Sequence, residues 1–213
     1  MKLYHYVHCP FCIRVRMAAG ILNISYESIV VPYDDEATPV QLTGKKMLPI
    51  WVNEEGVAQN ESLDIIKNLD KSDVLNWNFL STHKDKMDSL LSKIGEPVHS
   101  LCMPYWIWTP EFNPNSRKYF QSKKEEKRGA FSNLIKNKMA FIEKLNAILD
   151  SEVESKLMPF FNSEKMTIVD IMLASHLWGM YIFPEYQFTP LMHAYLQRVS
   201  ALCKFDYHHD YWK

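Results

Sequence analysis

Two cysteines near the start of the chain constrain its fold more than any other feature. Cys9 and Cys12 are separated by a proline and a phenylalanine. Residues 2–6 belong to an apolar run, ended by Val7 and His8, that predicts a β-strand, and residues 12–22 carry apolar side chains at helical spacing. Pro10 suits the first position of a helix, where its missing N–H group costs nothing. The pattern therefore predicts a strand-to-helix junction with Cys9 at the start of the helix.

A cysteine at the N-terminus of a helix favours redox chemistry. The thiolate is the nucleophilic form, and a helix N-terminus lowers the thiol pKa from about 8.5 into the range of about 3.5–7.5. We expect Cys9 to be the nucleophile and Cys12, one turn inside the helix, to be the buried resolving thiol. Two alternatives stay open, namely half of a zinc site and two unrelated core cysteines. Arg14 and Arg16 add positive charge, although a solvated helix face is the simpler interpretation of both.

The composition is that of an ordinary globular protein. The chain has 213 residues, of which 47% are hydrophobic and 23% are charged. A net charge of -1 gives no reason to expect nucleic acid or an anionic membrane as a partner. Four cysteines do not resemble a secreted disulfide framework, and neither a signal peptide nor a membrane-spanning segment is visible. We therefore expect a soluble protein of a reducing compartment, the cytoplasm.

The first third of the chain predicts an α/β domain over residues 1–72. Strand signals, helical periodicity and turns alternate in the order β-α-β-α-β-β-α, which is the order of a thioredoxin-like fold. The predicted strands are residues 2–6, 25–31, 48–52 and 57–59, and the predicted helices are residues 12–22, a short one ending at Gly44, and residues 62–69. The first two strands should be parallel, because a β-α-β unit closes that way.

The rest of the chain predicts an all-α domain over residues 76–213. We expect helices over residues 77–101, 115–150, 168–181 and 189–202. Gly95 and Pro97 should disturb the first of them, and an aromatic tail, residues 204–213, should pack back on the domain. The charged run at residues 123–128 is most simply a solvated helix face. Thr167 and Asp170 have the spacing of a capping box at the start of the most apolar helix.

Two further motifs suggest a ligand site. Leu48-Pro49 opens a strand where a thioredoxin-like fold places a cis-proline beside its reactive cysteine, and a cis bond would turn the Leu48 backbone toward an extended peptide. Glu61-Ser62 precedes a helix, so its N–H groups and hydroxyl could hold a carboxylate while Glu61 accepts bonds from an ammonium group. A trans-proline and simple N-capping are the plainer alternatives. Lys45 and Lys46 could also meet a carboxylate.

Together these motifs resemble a known family. In order and spacing, Cys9-Pro10-Phe11-Cys12, Leu48-Pro49-Ile50 and Glu61-Ser62 are similar to the glutathione-binding set of a glutaredoxin. The helical part, with Thr167 and Asp170, resembles a glutathione transferase, and the combination resembles the two-domain glutaredoxin 2 family of bacteria. The resemblance implies a glutathione-transferase-like architecture, a cis-Pro49, and glutathione as co-substrate. It assigns glutathione contacts to Cys9, Leu48, Pro49, Glu61 and Ser62.

The resemblance also implies a function, a glutathione-dependent thiol–disulfide oxidoreductase. It would reduce protein disulfides and protein–glutathione mixed disulfides through Cys9 and Cys12. Phe11 departs from the tyrosine that is frequent at this position of glutaredoxins, and we expect little change in mechanism. We further expect no metal, a monomer, and disulfide-containing or glutathionylated proteins as partners. The alternatives are a glutathione transferase that conjugates electrophiles, and a non-catalytic adaptor or cluster-binding protein.

Overall fold

A four-stranded sheet forms the first part of the molecule. The computed structural model describes residues 1–208. The strands are β1 (Lys2–His5), β2 (Glu27–Val30), β3 (Ile50–Val52) and β4 (Ala58–Gln59), in the spatial order β2-β1-β3-β4. β1 pairs with β2 in parallel, whereas β3 pairs antiparallel with both β1 and β4. The predicted parallel β-α-β unit and the predicted antiparallel last strand are confirmed.

Three helices accompany the sheet in what we call the sheet half. They are α1 (Pro10–Ile21), α2 (Ala37–Thr43) and α3 (Ser62–Leu69). α1 connects the two parallel strands and opens with Pro10, as expected from the sequence. α2 ends at Gly44, whose φ of 75° is accessible to glycine at little cost. The thioredoxin-like fold class predicted for this part of the chain is therefore confirmed.

We call the rest of the described chain, residues 77–208, the helical half. Within these residues it contains six α-helices and no β-strand. These helices are α4 (Trp77–Trp106), α5 (Pro114–Arg128), α6 (Phe131–Lys136), α7 (Lys138–Ile148), α8 (Ile168–Leu177) and α9 (Pro190–Cys203). α7 runs on into a π-turn, Leu149–Val153, and a 3₁₀ turn, Glu154–Lys156, and α8 continues into a 3₁₀ turn, Trp178–Tyr181. None of the helices within residues 1–208 is long and apolar enough to cross a bilayer.

Two sequence predictions for the helical half are wrong. α4 is continuous through Gly95 and Pro97 to Trp106, because it buries an apolar face along most of its length, which offsets the hydrogen bonds that its prolines cannot donate. The predicted helix over residues 115–150 is instead three helices. The first ends at Gly129, whose φ of 78° is incompatible with a continuing right-handed helix.

The most apolar helix, α8, lies at the centre of the helical half, and all its residues are buried. Its predicted capping box is confirmed, since Thr167 N–H donates to Asp170 Oδ2 at 2.7 Å and Val169 N–H donates to Thr167 Oγ1 at 3.2 Å. The chain end packs back on this core, where Trp178 Nε1 donates to the Tyr207 carbonyl at 2.8 Å. The part of the predicted aromatic tail at residues 209–213 lies outside the described residues.

Helix α1 connects the two halves. It contacts α3 in the sheet half and both α8 and α9 in the helical half. Gly20 makes the last of these contacts possible, because a Cβ atom there would lie 1.7 Å from the Cys203 carbonyl oxygen. The helix that begins at the two cysteines is therefore held from both sides, although the domain limits at residues 72 and 76 stay a prediction.

Candidate active site

The dithiol lies at the junction between β1 and α1, as the sequence predicts. Cys9 is the N-cap residue of α1, with extended backbone angles of -78° and 120°, and its carbonyl accepts the first helical hydrogen bond from Ile13 N–H at 3.0 Å. Cys9 is partly exposed, whereas Cys12 is fully buried. The Cys12 sulfur accepts a hydrogen bond from Tyr6 N–H at 3.4 Å. One thiol is thus accessible to substrate, and the other is held beneath it.

The pKa values of the two thiols are shifted in opposite directions. The pKa of Cys9 is lowered to about 6, first because the Cys12 thiol donates a hydrogen bond to its sulfur. The charge of His8 and the N–H groups of Cys12 and Phe11 lower this pKa further, whereas burial raises it. The pKa of Cys12 is raised well above its usual value, first by burial and then by its contact with Cys9. Near neutral pH, Cys9 is therefore a thiolate and Cys12 a thiol that donates to it.

Leu48 lies close to the dithiol in the fold. The Leu48–Pro49 peptide bond is cis, which confirms the prediction for Pro49. Leu48 belongs to a small apolar cluster with Tyr6, Cys12 and other buried side chains, and Cys9 packs against the same cluster. The residue before the cis-proline and both cysteines are thus brought together, although they are far apart in sequence.

Glu61 and Ser62 form the start of α3 on another side of the site. Glu61 has a φ of 69°, a left-handed conformation that is uncommon outside glycine, and its exposed side chain makes no capping hydrogen bond. Ser62 is buried, and its hydroxyl accepts a hydrogen bond from Arg14 Nη1 at 3.3 Å. The simple N-capping interpretation of the pair is therefore not what the structure shows, because neither side chain closes the first turn.

A cleft between the two halves contains Glu61 and Ser62. It has a volume of about 660 Å³ and is lined by side chains of both charge signs. Phe11, from the dithiol motif, lies at its edge with 47% of its surface exposed. Its other polar lining residues are Arg14, Asp64, Asp88, Ser92, Glu96, His99, Arg128 and His176. The cleft therefore presents both positively and negatively charged side chains.

Arg14 is a site residue that the sequence analysis missed. The expectation of a solvated helix face is wrong for it, because Arg14 is buried and its guanidinium lies 5.1 Å from the centre of the Phe11 ring. Burial lowers its pKa to about 10, so it stays charged at neutral pH. Its Nε atom is buried and has no hydrogen-bond partner within residues 1–208. Helical periodicity could not reveal this role, because Ser62 is brought opposite only by the fold.

Other basic residues divide between the cleft and the surface. Lys46 Nζ donates to Glu36 at 3.0 Å and to the Tyr119 hydroxyl at 3.1 Å, so it joins the two halves at their surface, and Lys45 is exposed. The charged run at residues 123–128 is only partly solvated. Arg128 is half-buried, lines the cleft and donates to the Glu96 carbonyl at 3.3 Å.

A buried acid–base pair lies directly before the dithiol, and the sequence analysis did not identify it. His8 Nδ1 lies 2.6 Å from Glu111 Oε1, and the His8 backbone N–H donates to the same oxygen at 3.0 Å. Glu111 belongs to the connection between α4 and α5, more than one hundred residues away in sequence.

Within residues 1–208, no group of three or more potential metal ligands is present.

Comparison with known protein families agrees with this geometry. A sequence model described as "Glutaredoxin 2, C terminal domain" matches residues 86–210, and one described as "Glutathione S-transferase, N-terminal domain" matches residues 3–77. The chain is 34% identical to glutaredoxin 2 of Escherichia coli K12 over 151 residues, which are 68% of this chain and 69% of that protein. The chain belongs to the glutaredoxin 2 family.

One solved structure supports the same assignment, and a second shares the fold. The crystal structure of glutaredoxin 2 from Salmonella typhimurium in complex with glutathione has a TM-score of 0.83 and 27% identity, and covers 96% of this chain and 95% of that one. A glutathione S-transferase of Ceriporiopsis subvermispora in complex with glutathione shares the fold, with a TM-score of 0.79 at 18% identity over 95% of this chain and 96% of that one. As a member of the glutaredoxin 2 family, the chain is a glutathione-dependent thiol–disulfide oxidoreductase with glutathione as co-substrate.

Proposed function

We propose that Cys9 is the nucleophile and Cys12 the resolving thiol in the reduction of protein–glutathione mixed disulfides and protein disulfides. The observation that carries the assignment is the pairing of a partly exposed Cys9, whose pKa is about 6, with a buried Cys12 thiol. A thiolate near neutral pH attacks a disulfide readily, and a low-pKa thiol is also a good leaving group when glutathione regenerates it.

In the reduction of a mixed disulfide, the Cys9 thiolate attacks the glutathione sulfur. The bond between that sulfur and the substrate protein breaks, and the protein leaves as a thiolate that takes up a proton. A second glutathione thiolate then attacks the glutathionyl sulfur on Cys9. Glutathione disulfide and the Cys9 thiolate are released, so two electrons have passed from glutathione to the substrate.

In the reduction of a protein disulfide, Cys9 forms a mixed disulfide with the substrate, and Cys12 resolves it. The substrate leaves as a dithiol, and a Cys9–Cys12 disulfide remains, which two glutathione molecules reduce. Burial and the contact with Cys9 raise the pKa of Cys12, so its sulfur carries a proton in the resting enzyme. When Cys12 attacks the Cys9 sulfur of the mixed disulfide, that proton passes to the substrate thiolate that leaves. Glutaredoxin potentials of about -200 to -230 mV lie close to the glutathione poise, so the cycle suits a reducing compartment such as the cytoplasm.

Five residues of the predicted set, together with Arg14, would form the glutathione site. The Leu48 backbone beside cis-Pro49 would hold the cysteinyl part of glutathione next to Cys9 as an added strand is held. The N–H groups at the start of α3, beside Ser62, would donate to the γ-glutamyl carboxylate, and Glu61 would accept from the ammonium group. The unpaired Nε of Arg14 supports this orientation, because a carboxylate beside Ser62 would give that buried donor an acceptor. Protein substrates and a monomeric state belong to the same proposal.

Two cysteine variants test the assignment. Cys9→Ser is expected to lose all activity, because a serine hydroxyl cannot exchange disulfides. Cys12→Ser is expected to keep the reduction of glutathione mixed disulfides and to lose the reduction of protein disulfides. Both are measured in a glutathione-coupled assay with a glutathionylated protein and with a disulfide-containing protein. Turnover of the glutathionylated substrate by Cys9→Ser would overturn the assignment.

The conjugation of glutathione to an electrophile is not favoured by the family comparison. The buried Cys12 also has no role in that chemistry. An assay with an aromatic electrophile, run on the same preparation, is therefore expected to show little or no conjugation beside full disulfide reduction.

A further inference from the structure

Glu111 is a deeply buried carboxylate in contact with the residue before the nucleophile. Its side chain has 0% exposure, and its Oε1 atom accepts both from the His8 backbone N–H and from Nδ1 of the His8 ring. A buried carboxylate is costly unless a cation or several donors satisfy it. Burial alone would raise the pKa of Glu111, yet the bonds and charge of His8 hold it below its usual value. Glu111 is therefore ionised and depends on His8.

The pair is enclosed by aromatic rings from both halves. The His8 ring lies within 5.3–5.6 Å, between ring centres, of five of them. These rings belong to Tyr6, Tyr33, Trp106, Phe112 and Phe120. Such surroundings exclude water, so charges inside them interact more strongly than at a surface.

Glu111 also ties the helical half to the sheet half. Its backbone carbonyl accepts from Tyr33 N–H at 3.1 Å, while its side chain holds both the backbone and the ring of His8. One residue of the helical half thus makes three hydrogen bonds to the sheet half, two to His8 and one to Tyr33. Loss of the bonds to His8 would therefore change the position of the Cys9 backbone, because the two residues share a peptide bond.

Several other titratable groups face His8 and Cys9. Tyr6 and Tyr33 are neutral near pH 7, since burial raises both of their pKa values. On α4, the pKa of His99 is lowered to about 3, first by burial, so its ring is neutral as well. Arg14 on α1 and Lys124 on α5 also interact with the charge of Cys9. Within this set, His8 is the basic group adjacent in sequence to the thiol and bonded to a carboxylate.

We propose that Glu111 is a positioning residue for the reaction: from the helical half it holds the proton and the charge of the His8 ring beside Cys9, and so sets the reactivity of that thiol. The inference rests on the proposed role of Cys9 as nucleophile. Glu111 keeps the proton on Nδ1 and fixes the ring, and the positive charge of His8 favours the Cys9 thiolate. The helical half thereby contributes a positioning residue to the dithiol site.

The decisive variant is Glu111→Gln, which keeps an oxygen acceptor for His8 but removes the charge. The rate of Cys9 alkylation by iodoacetamide is measured against pH in the reduced protein, with mass spectrometry confirming that Cys9 is the residue modified. We expect the midpoint to rise by roughly one pH unit, because a nearby opposite charge shifts a pKa by that order. The rate at pH 6, where about half of Cys9 is a thiolate, should then fall roughly fivefold. Glu111→Asp, which keeps the charge, should show a smaller shift than Glu111→Gln.

A double-mutant cycle separates action through His8 from a direct effect. Alone, the Glu111 carboxylate repels a thiolate, so in a His8→Asn background Glu111→Gln should leave the midpoint unchanged or lower it. The matched control is Glu36→Gln, which removes the same charge from the exposed contact between the halves with Lys46 and Tyr119 and should leave the midpoint unchanged. Unfolding midpoints verify that each variant is folded.

The outcomes that overturn the inference are distinct from failure of the proposed function. A folded Glu111→Gln variant with a shift below about 0.2 unit overturns it, as does an equal upward shift in the His8→Asn background. If Glu111→Gln does not fold, His8→Asn alone must raise the midpoint, and an unchanged value overturns the inference. Failure of the proposed function would show instead in the unmodified protein, as a Cys9 midpoint near that of a free thiol or a lack of glutathione-coupled turnover.

Discussion

The chemistry of single side chains explains why two neighbouring thiols differ so strongly. Cys9 is partly exposed at a helix N-terminus with donors directed at it, whereas Cys12 is fully buried and its sulfur accepts a hydrogen bond from the Tyr6 backbone. The first environment stabilises a thiolate, and the second stabilises a thiol. Because the Cys12 thiol is itself the main donor to Cys9, each cysteine sets the acidity of the other.

This dependence predicts the effect of removing the Cys12 donor. Cys12→Ala is expected to raise the midpoint of Cys9 alkylation from about pH 6 by about one unit or more, because the largest cause of the low pKa is lost. Cys12→Ser is the matched control, since its hydroxyl can still donate, and it should shift the midpoint less. An unchanged midpoint in Cys12→Ala would show that the helix N-terminus and His8 suffice.

The same low pKa has a consequence for stability against pH. The pKa of Cys9 falls from 9.0 to about 6 on folding, so ionisation stabilises the folded state. The contribution is complete above pH 9 and is lost as the pH falls from there through about 6. The difference in the free energy of unfolding between the unmodified protein and Cys9→Ser should therefore become smaller as the pH is lowered from 9 to 6. Urea unfolding across that range measures this difference.

Arg14 is predicted to determine the affinity for glutathione. Arg14→Met should raise the KM for glutathione roughly tenfold or more with a smaller change in kcat, because a hydrogen bond to a charged group contributes about 1.5–3 kcal/mol. Arg16→Met is the matched control on the same helix, since the Arg16 guanidinium lies 4.9 Å from the Phe205 ring centre. Equal KM values in the two variants would contradict the role of Arg14.

Among the helices, α8 shows how a local signal and a tertiary network share one residue. Asp170 completes the capping box at Thr167, and its other oxygen accepts from Phe161 N–H and from the Tyr195 hydroxyl, each at 2.9 Å. Burial raises the pKa of Asp170, although these donors act against the rise. The helix start is therefore also the point at which the preceding segment and α9 are held to the core.

Asp170→Ala is accordingly predicted to be one of the more destabilising substitutions in the helical half. It would leave several buried donors without an acceptor, at a cost of about 3–5 kcal/mol in the free energy of unfolding. Asp150→Ala, at an exposed carboxylate, should change stability by no more than about 0.5 kcal/mol. Urea unfolding of both variants measures the difference, and a similar small loss in each would refute the network.

In the molecule as a whole, the dithiol site depends on how the two halves pack together. α1 carries Cys12 on its first turn and packs against α8 and α9 along its length. The cleft that contains Ser62 is lined by residues of α1, α3, α4, α5 and α8. Neither half contains the complete site, because the cleft beside the cysteines forms only where the helical half packs against the sheet half.

Gly20 is the position where this packing is least tolerant. A Cβ at Gly20 would collide with the Cys203 backbone, so Gly20→Ala should lower the free energy of unfolding by about 1–3 kcal/mol or more. The control is Gly95→Ala, where the nearest atom lies at 3.8 Å and a helical alanine should be neutral or stabilising by about 0.5–1 kcal/mol. Denaturant unfolding of the two variants checks the contrast, and equal stabilities would contradict it.

Much of the sheet half could be predicted from residue order, because its signals are local. Pro10 after Cys9, the alternation in the strands and Pro49 before a strand each act over a few residues. In the helical half the predictions failed where packing outweighs local preference, as at Pro97 within α4, or where glycine ends a helix, as at Gly129. The predicted glutathione contacts of Leu48, Glu61 and Ser62 stay a proposal, which is supported by the positions of these residues around the dithiol and its cleft.

The amino-acid sequence was sufficient to predict the dithiol, its place at a helix start and the fold class, since these follow from short-range patterns. It could not reveal that Arg14 is buried beside Ser62 or that Glu111 binds His8 beside Cys9. Those contacts join residues 48 and 103 positions apart. They arise only when helix packing removes both side chains from water, and desolvation is what turns an ordinary arginine and an ordinary glutamate into parts of the site.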